Sequence, residues 1–188
     1  MNKETFWSVI EEVRRCTEGG SQEFVLETAQ RKLMAFPAAD IVRWERIRAA
    51  YMELAYRNDL WAACASAGIH CTDDGFTDFR SWLILQGRDT YLQVLRNPDS
   101  LEELEISRGE MGFEEYGYVA SRAYASKKAV ETKGLEAIMR DYMAWARKRR
   151  KADAREYLWT LDAGDDFYDE YRAHPLGPEE KEEIRAEV

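Results

Sequence analysis

The chain has 188 residues, a length that predicts one domain, and 45% of them are hydrophobic, which is enough for one core. Only 11 residues are Gly and 4 are Pro, which disfavours an all-β sandwich and excludes collagen-like and wholly disordered chains. The net charge of −9 argues against a nucleic-acid-binding protein, because such proteins hold phosphates on a basic surface.

Apolar residues recur at helical spacing through the first part of the chain. Residues 6–13 place them at i, i+3, i+4 and i+7, which predicts a first helix that ends near Gly19-Gly20. Ser21 is the candidate N-cap of a second helix, which Pro37 ends. A third amphipathic helix is predicted over residues 41–55.

Small residues dominate the next segment, LWAACASAG, which follows Asp59. This pattern predicts a short helix with Asp59 as N-cap and Gly68 just beyond its end. Because small side chains allow close approach of neighbouring backbones, we expect this helix at the centre of the bundle. Asp73 or Asp74 is the predicted N-cap of a fifth helix.

Three further helices are predicted in the second half of the chain. A sixth short helix lies between Gly87 and Asn97-Pro98, and a seventh lies within residues 113–129. The most regular apolar pattern of the chain covers residues 135–146. A basic run from Arg147 to Lys151 follows it, at the end of a helix where cations suit the dipole.

The end of the chain is acidic. From residue 151 onward it has 12 acidic and 5 basic residues. Residues 157–171 carry too many aromatic and leucine side chains for a purely solvated tail, so we expect them to dock, with the last ten residues mobile. The chain therefore divides into a helical domain, residues 1–150, and a partly docked acidic C-terminal extension, residues 151–188.

These patterns predict an all-α fold, a single-domain irregular or orthogonal bundle of about seven to nine helices. The sequence has neither a secretory signal nor 18 consecutive apolar residues, which predicts a cytoplasmic protein without membrane association. Cys16, Cys64 and Cys71 are an odd number without CxxC spacing, so we expect reduced thiols and neither disulfides nor a zinc site.

The most unusual local sequence has His70 and Cys71 just before the paired carboxylates of Asp73 and Asp74. Such carboxylates could bind a cation or act as a general base. Helix capping is the favoured interpretation, because the alternating oxygen ligands of a calcium loop are absent. We expect no metal and no cofactor, and His70 and Cys71 do not form a predicted catalytic pair, since side chains at i and i+1 diverge.

Arginine and tryptophan side chains add further candidates near this sequence. Arg80 and Arg88 could pair with carboxylates of neighbouring helices or bind an anionic ligand. Trp61 and Trp82 could line a pocket, although aromatic residues at helical spacing are typical of a core. The candidate ligand- or partner-binding residues are therefore Asp73, Asp74, Arg80, Trp82, Arg88 and Trp61.

Several short motifs occur in an order and spacing that one family shares. They are DLWAA from Asp59, DDGFTDFRSWL from Asp73, and QGR at 86–88, preceded by FW at 6–7. Over about residues 1–125 the chain resembles a bacterial family catalogued as domain of unknown function 4240. The resemblance implies a small α-helical bacterial protein and brings no activity with it. Of the candidates, Asp73, Asp74, Arg80, Trp82 and Arg88 match the family's pattern.

The sequence favours a non-enzymatic protein-binding or regulatory module that recognises a protein with a basic surface, partly through its acidic end. An immunity, antitoxin-like or anti-defence role fits by analogy. The alternative is a small-molecule-binding protein or enzyme with a site around Asp73, Asp74, Arg80 and Arg88. Nucleic-acid contact through residues 147–151 is a third, disfavoured hypothesis.

Overall fold

The structure, a computed structural model, describes residues 1–69, 72–104, 113–149, 153, 156–157, 160–161 and 164–188. In these residues the chain forms ten α-helices and two short 3₁₀ segments, without strands. The predicted all-α fold is confirmed, and the number of helices is slightly above the expected seven to nine. His70, Cys71, Arg150 and Lys151 lie outside the described residues.

The helices follow one another with short connections. They are α1 (Lys3–Thr17), α2 (Gln22–Met34), α3 (Ala38–Leu54), α4 (Asn58–Ser66), α5 (Asp73–Leu85), α6 (Arg88–Arg96), α7 (Val119–Lys133), α8 (Leu135–Ala146), α9 (Gly164–Ala173) and α10 (Pro178–Arg185). The 3₁₀ segments cover Pro98–Glu103 and Glu114–Tyr118.

Helix α3 is the centre of the bundle and packs against α1, α2, α5, α7, α9 and α10. Its Trp44 and Tyr51 are fully buried. The ring of Phe6 lies 5.2 Å from Trp44 and 5.4 Å from Tyr51. Tyr51 also contacts Trp7 at 4.8 Å and Tyr91 at 5.5 Å between ring centroids. Each such pair contributes roughly 0.5–1.5 kcal/mol beyond the burial of its area, so this aromatic cluster joins α1, α3 and α6 firmly.

Two predicted helix starts have different outcomes. Ser21 caps α2 as predicted, because its Oγ accepts a hydrogen bond from a first-turn N–H at 3.3 Å. The N-cap of α5 is Thr72, whose Oγ1 accepts from the Gly75 N–H at 3.2 Å. The prediction that Asp73 or Asp74 caps this helix is therefore wrong. Both lie in its first turn, where negative charge suits the helix dipole.

Helix α4 lies at the edge of the bundle and not at its centre. Only Leu60 and Cys64 of its nine residues are buried, and it packs mainly against the first 3₁₀ segment. A short helix of small side chains has little apolar area to bury, so the longer aromatic helices take the centre. Asp59 is not its N-cap either, since the helix begins at Asn58 and the Asp59 carboxylate pairs with Arg57.

Helix α8 has the predicted amphipathic pattern, but a large part of its apolar face is in solvent. It packs against α7 through a face that buries Ile138. Leu135, Met139 and Met143 form a stripe that is 61%, 59% and 51% exposed. The periodicity thus predicted the helix correctly, while the presence of a packing partner could not be derived from it.

The C-terminal extension docks on the helical domain. Helices α9 and α10 both pack on α3, and Phe167, Leu176 and Ile184 are buried there. Mobility of the last ten residues stays a prediction, since it concerns dynamics. None of the described helices is both long and apolar enough to cross a membrane. Cys16 is an exposed free thiol, and Cys64 is buried.

Candidate functional site

The structure places the six predicted site residues in separate parts of the molecule. Arg80 and Trp61 lie in an aromatic stack between α4 and α5, whereas Trp82 lines a cavity beside α1. Arg88 contacts the C-terminal extension. The side chains of Arg80 and Trp82 point in different directions, because residues i and i+2 of an α-helix are roughly 200° apart around its axis. The two arginines and two tryptophans therefore do not line one pocket.

Arg80 is a buried brace between α5 and the end of α3. It is 8% exposed, and its Nη1 donates to the Met52 carbonyl at 2.8 Å, while Nη2 donates to Thr77 Oγ1 at 2.9 Å. The guanidinium lies over the rings of Tyr56 at 4.7 Å and Phe76 at 5.0 Å. Burial lowers the pKa of Arg80. These hydrogen bonds and ring contacts hold α5 against the end of α3.

Trp61 extends this stack on its outer side. Its ring is parallel to that of Phe76 with 4.7 Å between centroids, and Phe76 stacks in turn on Phe79 at 6.2 Å. The stack holds α4 against α5 through aromatic contact. In this stack Trp61 packs against the ring of Phe76.

Four carboxylates form an acidic patch where α5 packs against the second 3₁₀ segment. The acidic patch consists of Asp74, Asp78, Glu114 and Glu115. Burial raises the pKa of Asp78, and repulsion from the other three carboxylates raises it further. In the part of the chain that the structure describes, none of the four side chains has an ion pair or hydrogen bond. Asp73 lies beside the patch, close enough to Arg80 to interact electrostatically.

Only Asp74 of this patch was among the predicted site residues. Asp74 and Asp78 are spaced i, i+4, an arrangement that places like charges side by side and destabilises an isolated helix. That spacing is the sequence signal for the patch. Glu114 and Glu115 join it through tertiary packing, which no local pattern indicates.

A cavity of about 660 Å³ lies between the end of α1, the start of α2 and the end of α5. Trp82, Leu85 and Phe113 contribute apolar wall, and polar groups of the α1–α2 connection form the rim. At the rim Arg14 donates to the Glu11 carboxylate at 3.0 Å. Such a mixed lining suits a small organic molecule.

Gly87 lies in the chain between Gln86, which lines this cavity, and Arg88. It has φ of 88° and ψ of 166°, a conformation essentially restricted to Gly. A Cβ at this position would collide with the side-chain ends of Glu11 and Arg14. Gly87 therefore allows α5 and α6 to join at a sharp angle beside α1, and this places Arg88 at the first position of α6.

Arg88 binds a carboxylate supplied by the chain itself. Its Nε lies 3.4 Å from Glu187 Oε2, and the Tyr51 hydroxyl donates to the same oxygen at 3.2 Å. Lys3 Nζ lies 3.2 Å from Oε1, close enough for an ion pair although not aligned for a hydrogen bond. Arg96 donates to the Glu187 backbone carbonyl. The Glu187 side chain is 7% exposed.

Other groups of the extension are also bound within the molecule. Glu180 pairs with Arg43, and Glu183 lies 3.9 Å from Lys3. Arg46 donates to two backbone carbonyls of α9, one of them that of Tyr171 at 3.1 Å. Part of the negative charge of the extension is thus used to hold it on the helical domain.

No group of three or more His, Cys, Asp or Glu side chains that could hold a metal ion occurs among the described residues. The model of the family described as "Protein of unknown function (DUF4240)" matches residues 1–126. The chain therefore belongs to this family, and the resemblance of about residues 1–125 is confirmed. The comparisons with curated proteins and with solved structures found no match.

Proposed function

We propose that this member of the DUF4240 family is a non-enzymatic protein-binding module that recognises a partner with a basic surface through its acidic patch. One observation carries the proposal: four carboxylates lie close together and have no basic partner among the described residues. They are those of Asp74, Asp78, Glu114 and Glu115. The proposal includes a bacterial cytoplasmic location, which the exposed free thiol of Cys16 supports.

The electrostatics of the patch favour a cationic partner. Four neighbouring carboxylates repel one another, so the folded chain is less stable than it would be with neutral groups there. A lysine- or arginine-rich surface would remove this repulsion and would lower the pKa of Asp78 on binding. Complementary charge also accelerates association and makes it sensitive to salt.

The acidic patch is a better candidate for recognition than the acidic extension, which the sequence favoured. In the extension, Glu180 and Glu187 pair with bases of the helical domain. These carboxylates would have to leave their intramolecular partners before they could bind another protein. Among the residues that the structure describes, the carboxylates of the patch have no such partners to leave.

The test is affinity capture from an extract of the source organism with two charge-matched variants. The patch variant carries Asp74→Asn, Asp78→Asn, Glu114→Gln and Glu115→Gln. The control variant carries Asp165→Asn, Asp166→Asn, Asp169→Asn and Glu179→Gln in the extension. We expect a partner that the wild type and the control recover at low salt, that the patch variant loses, and whose recovery falls as salt rises. Equal recovery by the patch and control variants would refute recognition by the patch.

A second candidate function is the binding of a small molecule in the cavity beside Trp82. The supporting observation is its volume of about 660 Å³ together with an apolar wall and a polar rim. Val25 lines this cavity, so Val25→Phe would reduce its volume. A metabolite panel should then contain a compound that raises the Tm of the wild type and not that of Val25→Phe. A shift of equal size in both proteins would exclude the cavity as the site.

A further inference from the structure

We propose that Lys3, Tyr51 and Arg88 form a carboxylate-binding site, which the chain's own Glu187 fills and which an acidic peptide segment of another protein can fill in its place. This site is separate from the acidic patch, and it binds negatively charged groups, whereas the patch binds positively charged ones. The two proposals therefore succeed or fail independently.

The core of the helical domain fixes the Tyr51 donor of the site. Tyr51 is fully buried, and its ring is held between Trp7 at 4.8 Å and Tyr91 at 5.5 Å. Burial raises the pKa of Tyr51 well above its ordinary value, so its hydroxyl stays protonated and can donate. Gly87 fixes the backbone just before Arg88. A site whose donors are preorganised loses little entropy when a ligand binds.

The carboxylate in this site is well enclosed. The side chain of Glu187 is only 7% exposed. One of its oxygens contacts both Tyr51 and Arg88, and the other faces Lys3. Hydrogen bonds that involve charged groups are roughly twice as strong as neutral ones. The arrangement is that of a bound acidic ligand.

The segment that supplies Glu187 is short and is stable only when it is docked on the helical domain. It follows α10, a helix of eight residues whose buried side chain is Ile184. Isolated helices shorter than about 12–15 residues are marginal in water, so α10 depends on its contacts with the domain. The extension also lies outside residues 1–126, which the family model matches. An acidic peptide would compete with a tethered segment and would bind more tightly once that segment is weakened.

Acetate is the probe for the site, with thermal unfolding of the full chain as the readout. Glu187→Ala removes the native carboxylate, so that Tyr51 and Arg88 lose this partner and Lys3 loses the nearer of its two. We expect sodium acetate to raise the Tm of this variant by about 2–4 °C more than sodium chloride of equal ionic strength does. The matched control is Glu182→Ala, which removes a carboxylate that is 74% exposed and should give no acetate-specific rise.

Further measurements decide between the possible ligands. A labelled peptide of residues 178–188 should bind Glu187→Ala at least tenfold more tightly than the wild type, and Arg88→Ala added to that variant should abolish the difference. Absence of both the acetate effect and the peptide difference would overturn the proposal. Phosphate that stabilises Glu187→Ala more than acetate does would also overturn it, in favour of a phosphate site. If Glu187→Ala does not fold, Glu187→Ser, which also vacates the site, replaces it with the same expected results and the same refuting ones.

Discussion

Replacement of Gly87 by Ala is expected to destabilise the protein by about 2 kcal/mol. With φ of 88° and ψ of 166°, Gly87 occupies a region in which an L-residue costs of order 1–3 kcal/mol. The new Cβ would also displace the ends of Glu11 and Arg14. That second cost is small, because this exposed ion pair contributes at most about 1 kcal/mol and both side chains can move.

Thermal and urea unfolding followed by circular dichroism at 222 nm measure this effect. In a chain of this size 1 kcal/mol shifts Tm by about 2–4 °C, so Gly87→Ala should lower Tm by about 4–8 °C. Gly134→Ala isolates the backbone cost, because Gly134 has φ of 78° and open space around it. Gly117→Ala has open space and no positive φ, so it should be neutral or slightly stabilising. The reasoning fails if Gly87→Ala unfolds at the same Tm as Gly117→Ala.

Three further substitutions test the packing and the electrostatics. Arg80→Lys should cost about 1.5–3 kcal/mol in urea unfolding, because an ammonium group cannot keep the stacking and the forked hydrogen bonds of the buried guanidinium. Asp78→Asn should be more stable than the wild type at pH 7. Its advantage should disappear as pH falls below about 4, because the pKa of Asp78 is raised on folding and only the ionised form is penalised; an unchanged pH profile contradicts this. Met139→Gln should change stability by less than about 0.5 kcal/mol, whereas Ile138→Ala on the buried face of α8 should cost about 2 kcal/mol or more.

Local sequence signals were sufficient for the helices and several of their ends. Residues 6–13 have one apolar face, and all of that face is buried against the rest of the bundle. Ser21 caps α2 because a hydroxyl beside an extended backbone can satisfy a first-turn N–H without help from tertiary structure. Gly68 has a φ of 74° just beyond α4, as predicted for a residue that ends a helix.

The positions of the elements relative to one another could not be read from the same signals. The small side chains of α4 suggested the centre of the bundle, but burial depends on the total apolar area that a helix can offer. Periodicity identified the apolar face of α8 without showing that Met139 and Met143 are more than half exposed. The local sequence determines which face of a helix is apolar, whereas the element that packs against this face is determined by the whole fold.

The candidate sites depend even more on tertiary structure. The acidic patch joins Asp78 to Glu114 across a connection that contains α6, and the carboxylate site joins Arg88 to Glu187 across most of the chain's second half. Arg88 was predicted as a ligand-binding residue from its chemistry and from the family motif. Its carboxylate partner could be found only in the structure.

Recognition through the acidic patch is tested most directly by a ¹⁵N–¹H NMR titration of the full chain with a lysine-rich peptide. Backbone amides of Asp74, Asp78, Glu114 and Glu115 report on the patch, and amides of residues 164–173 report on the extension. We predict that the largest shift changes occur in the patch and that they disappear in the patch variant and at high salt. Shift changes that are centred on the extension, or that persist unchanged in the patch variant, would contradict the account.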